Sequence, residues 1–316
     1  MSVHDHLKAF HGLPVHSFHD QAENPPEPES CAWRVAAGTD ESPDEWQAEF
    51  TRLLDTVDTT RVHALVVGPW GESYEFDSSP VVEALLAARD RLPALRAVFL
   101  GDITAEESEI SWIPQTDVTP LLAAFPELAE FSVRGGSYLE FPAVRHTGLR
   151  RLTMQAGGLP AEVVQGVGAS DLPALEHLEL WLGTPEYGGD TEVGDLEPIL
   201  SGTRLPRLRG LALRNSKMQD AVAAVVASAP VVDRLETLDL SLGTLTDVGA
   251  AALLSGRRLT HLKKLDLHHH YISEPLLDRI RQALEPAGVE LALDRGEAYR
   301  HQAGDDAMRR YVAVSE

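Results

Sequence analysis

Cysteine is almost missing from these 316 residues. Cys31 stands alone, so no intrachain disulfide framework supports the fold. Positive charge is scarce too: 27 Lys and Arg face 49 Asp and Glu, a formal net charge of -22. Such a surface repels a phosphate backbone, and no basic patch interrupts it, which argues against nucleic acid as a partner. No stretch reaches the roughly 18 apolar residues of a membrane span. The opening MSVHDHLKAFHG lacks the basic-then-apolar order of a signal peptide. The expectation is a cytoplasmic protein. No GxGxxG or Walker-type GxxxxGK run follows a strand-like segment, which removes the usual sign of a nucleotide-binding α/β domain.

What the chain has instead is leucine in a recurring phrase, Leu-x-x-Leu-x-Leu. It reads LEHLEL at Leu175–Leu180, LRGLAL at Leu208–Leu213, LETLDL at Leu235–Leu240 and LKKLDL at Leu262–Leu267. Looser copies begin at Val62, Leu95, Leu128 and Leu149, and a half-copy, GVELAL, at Gly288. The steps between copies are 33, 33, 21, 26, 33, 27, 27 and 26 residues. Five of these steps fall in the leucine-rich-repeat range, and the longer ones fit with loop insertions such as GTPEYGGD at Gly183–Asp190. The end of each phrase alternates like a strand. Segments such as DAVAAVVASAP (Asp220–Pro230), TDVGAAALLSG (Thr246–Gly256) and SEPLLDRIRQAL (Ser273–Leu284) carry helical spacing. Ser273 and Pro275 suit the start of the last one. Strands too short to bury their own apolar face must stack. The predicted fold is an α/β leucine-rich-repeat solenoid of about nine repeat strands, a horseshoe with a parallel sheet on the concave face and helices on the convex face.

The LTDVGAAALL unit after LETLDL resembles the ribonuclease-inhibitor type of leucine-rich repeat. The C-terminal half, with LEHLELWLGTPEYGGD, LRGLALRNS and LKKLDLHHHYISEP, is similar to an uncharacterised bacterial leucine-rich-repeat family of actinomycetes and enterobacteria. That resemblance implies the fold and an accessory role to a bacterial enzyme system, and no catalytic residues or cofactor. One departure stands out. The commonest repeats place Asn or Cys after the phrase, whereas the matching positions here are Trp70, Ile103, Gly136, Gly157, Gly183, Ser216, Gly243 and His270. Asn215 is one residue early. The turn geometry should therefore differ from the standard horseshoe.

The organisation reads as four parts. Residues 1–30 are an acidic, Pro-rich, partly disordered leader. Residues 31–60 are a capping unit, a strand at Cys31–Ala37 followed by a helix over Ser42–Val57 with Trp46, Phe50, Leu53 and Leu54 on one face. Residues 61–294 are the solenoid, and 295–316 a C-terminal cap in which Tyr311–Glu316 could add one strand.

The outward strand residues are apolar or glycine early in the chain and polar later. Arg134, Glu179, Trp181, Arg214, Asp239, Asp266 and His268 all project outward, with Trp181 and Arg214 as the expected exposed anchors of a partner surface. The partner is read as a protein or peptide, and the net charge favours a basic one. The rival reading is a small-molecule hydrolase using Glu179, Asp239, Asp266 and His268. A metal reading of His268 and His270 with Asp266 is weaker than a histidine-rich turn, so no metal is assigned. Nothing near Cys31 lowers its pKa, so it is not a nucleophile. The loops Glu106–Thr119 and Gly183–Asp190 are expected to form a lip on one rim, with Trp112 and Ile113 tucked inward.

Overall fold

The computed structural model describes residues 3–18, 25–72, 74–296 and 310–315. Much of the expected C-terminal cap and part of the Pro-rich leader run lie outside the described residues. The rest forms a single 12-stranded sheet whose spatial order is the order of the sequence. The strands are β1 (Ala9–Phe10), β2 (Leu13–Ser17), β3 (Ala32–Val35), β4 (Ala64–Val67), β5 (Ala97–Leu100) and β6 (Glu130–Arg134). They continue with β7 (Arg151–Gln155), β8 (His177–Gly183), β9 (Gly210–Ser216), β10 (Thr237–Asp239), β11 (Lys264–Asp266) and β12 (Glu290–Ala292). Only β1 and β2 pair antiparallel; every other neighbour pair is parallel. This is a solenoid-like α/β arrangement.

Helices connect most strands: α1 (Pro43–Thr56), α2 (Ser79–Ala87), α3 (Thr119–Ala124) and α4 (Ala161–Ala169), then α5 (Glu197–Ser201), α6 (Gln219–Ser228), α7 (Asp247–Ser255) and α8 (Glu274–Leu284). The 21-residue step between the copies at Leu128 and Leu149 leaves no room for one, and no helix lies between β6 and β7. Along β8 the inward Leu178 and Leu180 are buried, while His177 and Glu179 are partly open. The leucines of successive phrases join one continuous core from Cys31 to Val289. Among the described residues, no helix is long and apolar enough to cross a membrane.

Polar links between coils stand where an asparagine ladder is lacking. Asp220 at the start of α6 accepts from the Thr246 backbone N–H (2.7 Å) and the Gly249 N–H (3.0 Å) at the start of α7. Asp247 in turn accepts from the Ser273 N–H (2.6 Å) and hydroxyl (2.7 Å) before α8. Ser273 therefore precedes its helix as expected but donates to the previous coil instead of capping its own helix. In these two links one coil holds the helix start of the next, where anionic oxygens are favoured.

The leader requires a correction. Residues 3–18 form the β1–β2 hairpin, extend the sheet beside β3 and fold back over its helix-free face. Leu7 and Phe10 pack on Ala32, Ala64, Val66, Ala97 and Phe99. The physical reason is that β4 and β5, with Ala32 of β3, turn apolar side chains to that face, and these must be covered. Residues 310–315 also differ from expectation: they join no strand, bend at Ala313, and lie across the rim at the C-terminal ends of the strands.

Candidate functional site

Strand alternation sorts the helix-free face into rows, each fixed by the parallel register. The first row runs Ala64, Ala97, Glu130, Arg151, His177, Gly210, Thr237 and Lys264. The second runs Val66, Phe99, Ser132, Thr153, Glu179, Ala212, Asp239 and Asp266. The face changes character at β6. Its apolar half lies beneath the N-terminal segment, with the Phe10 and Phe99 rings edge-to-face at 5.8 Å. The seam is polar: Asp102, fully buried, accepts from the Leu7 N–H (3.1 Å) and pairs with Arg34 (2.7 Å). His11 meets Glu130 at 2.9 Å where the cover stops.

Beyond that seam the polar half stays open as a groove of about 320 Å3 over β6–β11. Its floor is organised by Arg214. The guanidinium pairs with Glu179 at 2.9 Å and Asp239 at 3.2 Å, and donates to the Ser241 hydroxyl at 2.9 Å. It lies 5.3 Å from the centre of the Trp181 ring, and the Trp181 indole N–H donates to the same Glu179 oxygen at 2.6 Å. Sequence reasoning placed Trp181 and Arg214 together correctly but exposed them wrongly. Trp181 is 1% exposed and Arg214 7%. Val3 and Ile110 pack on Trp181, with Leu242 and Val314 against the same cluster, so segments remote in sequence cover it. Arg214 is a fixed hub beneath the groove, and the side chains it presents are Glu179 and Asp239.

Arg134 is not part of this groove surface. It is 1% exposed, donates to Gln155 (2.9 Å) and the Ile103 carbonyl (2.8 Å), and stacks over Phe99 at 5.5 Å. Burial pushes its pKa down, opposed by Asp102 and Glu107.

Asp239 and Asp266 are direct register partners on β10 and β11. Burial pushes the Asp239 carboxyl up, Arg214 works against that, and the charge of Asp266 adds to it. Burial also pushes Asp266 up, but its partners prevail and hold it well below the usual carboxylate range. Those partners are the His268 ring at 2.6 Å, the His268 backbone N–H at 3.1 Å and Lys264 at 3.1 Å. His177, half-buried on the groove wall, is pushed down by burial and by Arg151.

The three consecutive histidines point to different partners. His268 meets Asp266. His269 adopts φ 55° and reaches the Tyr311 carbonyl at 3.1 Å. His270 is buried between the Leu293 carbonyl and the Ile272 N–H, both at 3.1 Å. Among the described residues, no group of three His, Cys, Asp or Glu side chains converges as a metal site would require. Cys31 is buried and its thiol is pushed up to about 11 by burial.

Sequence reasoning missed Arg151, His177, Thr237 and Lys264. They sit one step earlier on each strand, and the same alternation extended back by two residues finds them. The two rim loops do come together: Trp112 and Pro114 face Glu186 and Tyr187 across one depression. Of the pair expected to tuck inward, Ile113 is fully buried and Trp112 is 58% exposed.

No protein-family model matches the chain, and no curated protein matches it. Among solved structures, the crystal structure of a Bacteroides fragilis protein from a structural genomics effort is similar to it. The two are 27% identical with a TM-score of 0.76, over 89% of this chain and 78% of that one.

Proposed function

We propose that the chain is a leucine-rich-repeat binding module of the bacterial cytoplasm, accessory to an enzyme system, whose groove over β6–β11 holds a basic protein or peptide segment. The recurring leucine phrase, the sequential parallel sheet and the unbroken leucine core support the repeat reading. The observation that carries the binding reading is the Arg214 hub. It fixes Glu179 and Asp239 from below and leaves them facing an open groove, so a partner cation meets acceptors that are already ordered. The net charge of -22 steers a basic partner toward it.

A second reading, a small-molecule hydrolase, draws on one observation: the adjacent carboxyls of Asp239 and Asp266 are pushed in opposite directions. The open shape of the groove favours the binding module.

The test uses Ala212→Arg. Ala212 lies between Glu179 and Asp239 in the register, so the new side chain fills the groove with bulk and positive charge without removing a hub contact. Calorimetric titration of extended Lys- and Arg-rich peptides should show binding to the wild type and about tenfold or greater weakening in the variant. Equal binding by both proteins would sink the groove reading.

A further inference from the structure

The rim at the C-terminal ends of the strands carries a second concavity, about 520 Å3, separate from the groove on the sheet face. Loops that follow β4, β5, β6, β7 and β8 build it. Tyr74, Trp112, Tyr138 and Tyr187 line it, together with Pro114 and Pro160. Tyr74 is 62%, Trp112 58% and Tyr138 79% exposed. Six large apolar side chains are strongly exposed among the described residues, and three of them gather here. Scattered exposure of this kind is ordinary, but concentration in one depression marks an interaction site.

The chemistry of the lining selects the occupant. Its serine hydroxyls are already engaged: Ser111 donates to the Ser315 carbonyl and Ser137 to the Ser111 carbonyl, both at 2.6 Å. Beside them the lining offers ring faces with their phenol hydroxyls, proline edges and the Glu186 carboxylate. A nucleic acid needs cations. The loops carrying Tyr74 and Trp112 hold Glu72, Glu75, Asp77, Glu106, Glu107 and Glu109 and no Lys or Arg. This acidic field is felt by the Tyr74 phenol, which Glu72 pushes up.

The same rim already seats a segment of non-helical chain. Residues 310–315 run along it, with the Ala313 N–H donating to the Leu242 carbonyl (2.7 Å) and the Val314 N–H to Asn215 Oδ1 (3.0 Å). At Ser315 this strap reaches Ser111, and there the aromatic depression begins. The depression therefore continues the track of a docked non-helical segment.

We propose that the aromatic rim groove is a docking site for a proline-rich, Arg- or Lys-bearing segment of a partner protein, bound in the polyproline II form. Such a segment needs few hydrogen bonds, loses little entropy, and offers pyrrolidine rings to aromatic faces. Its basic side chains meet the acidic loops and the exposed rings. The site is independent of the sheet-face groove.

The experiment titrates a fluorescein-labelled peptide of repeated Pro-Pro-x-Pro-Arg units into the full chain and follows anisotropy. Trp112→Ala and Tyr138→Ala should each weaken binding about tenfold or more, because exposed rings contribute to the ligand and little to the fold. Replacing the peptide's prolines by alanine should do the same, Glu186→Gln should weaken it less, and Ala212→Arg should leave it unchanged. Three results would overturn the proposal. The wild type does not bind up to about 1 mM; Trp112→Ala and Tyr138→Ala bind like the wild type; or a soluble oligosaccharide displaces the peptide, which assigns the groove to sugars.

Discussion

Asn215 holds Val314 through both atoms of its amide: Oδ1 accepts from the Val314 N–H at 3.0 Å, and Nδ2 donates to the Val314 carbonyl. One side chain thus makes a two-bond rung between residues 99 positions apart. The backbone is shaped for it. Asn215 adopts φ 57°, and Leu242 and His269, at the matching places of the next two coils, adopt 66° and 55°. Asn tolerates this region better than most residues. The three turns together form the shelf on which 310–315 lies.

Asn215→Ala should therefore release the strap and cost about 1–3 kcal/mol, from the lost amide bonds and the strained backbone. Urea unfolding measures the cost, and hydrogen exchange at the Val314 amide reports the release. Unaltered protection at Val314 would show that the strap does not depend on this rung.

Two tryptophans provide a matched contrast. Trp181 is buried beneath both terminal segments, and Trp181→Ala should cost about 3–5 kcal/mol. Trp112, 58% exposed, should change stability by no more than about 0.5 kcal/mol when truncated. Leu240→Ala, at a fully buried phrase position, should cost about 2–5 kcal/mol. Thermal unfolding of the three variants checks the order, and equal melting of Trp181→Ala and Trp112→Ala would contradict the burial of the first.

The Asp266 carboxyl is depressed in the folded state, so it adds stability when ionised. That contribution is complete above the ordinary Asp value of about 3.9 and fades as pH falls through the lower, folded value. Asp266→Asn should lower stability at pH 7 by about 1.5–3 kcal/mol, the range for hydrogen bonds to a charged group. The gap between variant and wild type should narrow steadily below pH ~4. Melting temperature against pH reads both, and a gap that widens on acidification would reverse the assignment.

The repeat was legible because its physics is local. In LEHLEL the alternation that buries Leu178 and Leu180 is written in consecutive residues, and so is the helical spacing of Trp46, Phe50, Leu53 and Leu54. The site was legible in outline only. Glu179, Arg214 and Asp239 fall together because register follows from the phrase. The burial of Trp181 was not legible, because Val3, Ile110 and Val314 come from loops and termini whose landing points no period encodes. The leader misled for a related reason. Its acidic, proline-rich stretch dominates the composition, while Val3, Leu7 and Phe10, which dock, make no pattern by themselves. Tyr74, Trp112, Tyr138 and Tyr187 lie on four different loops, so only the stacking of coils reveals them as one lining.

A sheet in which every strand pairs with its sequence neighbour behaves, taken alone, as a one-dimensional array that can fray from either end. The two terminal segments change that. Leu7 binds Asp102 across 95 positions, and Ser315 meets Ser111 across 204. Both segments also place a valine in the cluster around Trp181. An end coil cannot peel away without opening contacts in the middle of the stack. The clasp ties local steps into a long-range closure, so loss of one terminus is felt at the other, and unfolding becomes a cooperative event of the whole array rather than a sequence of independent coils.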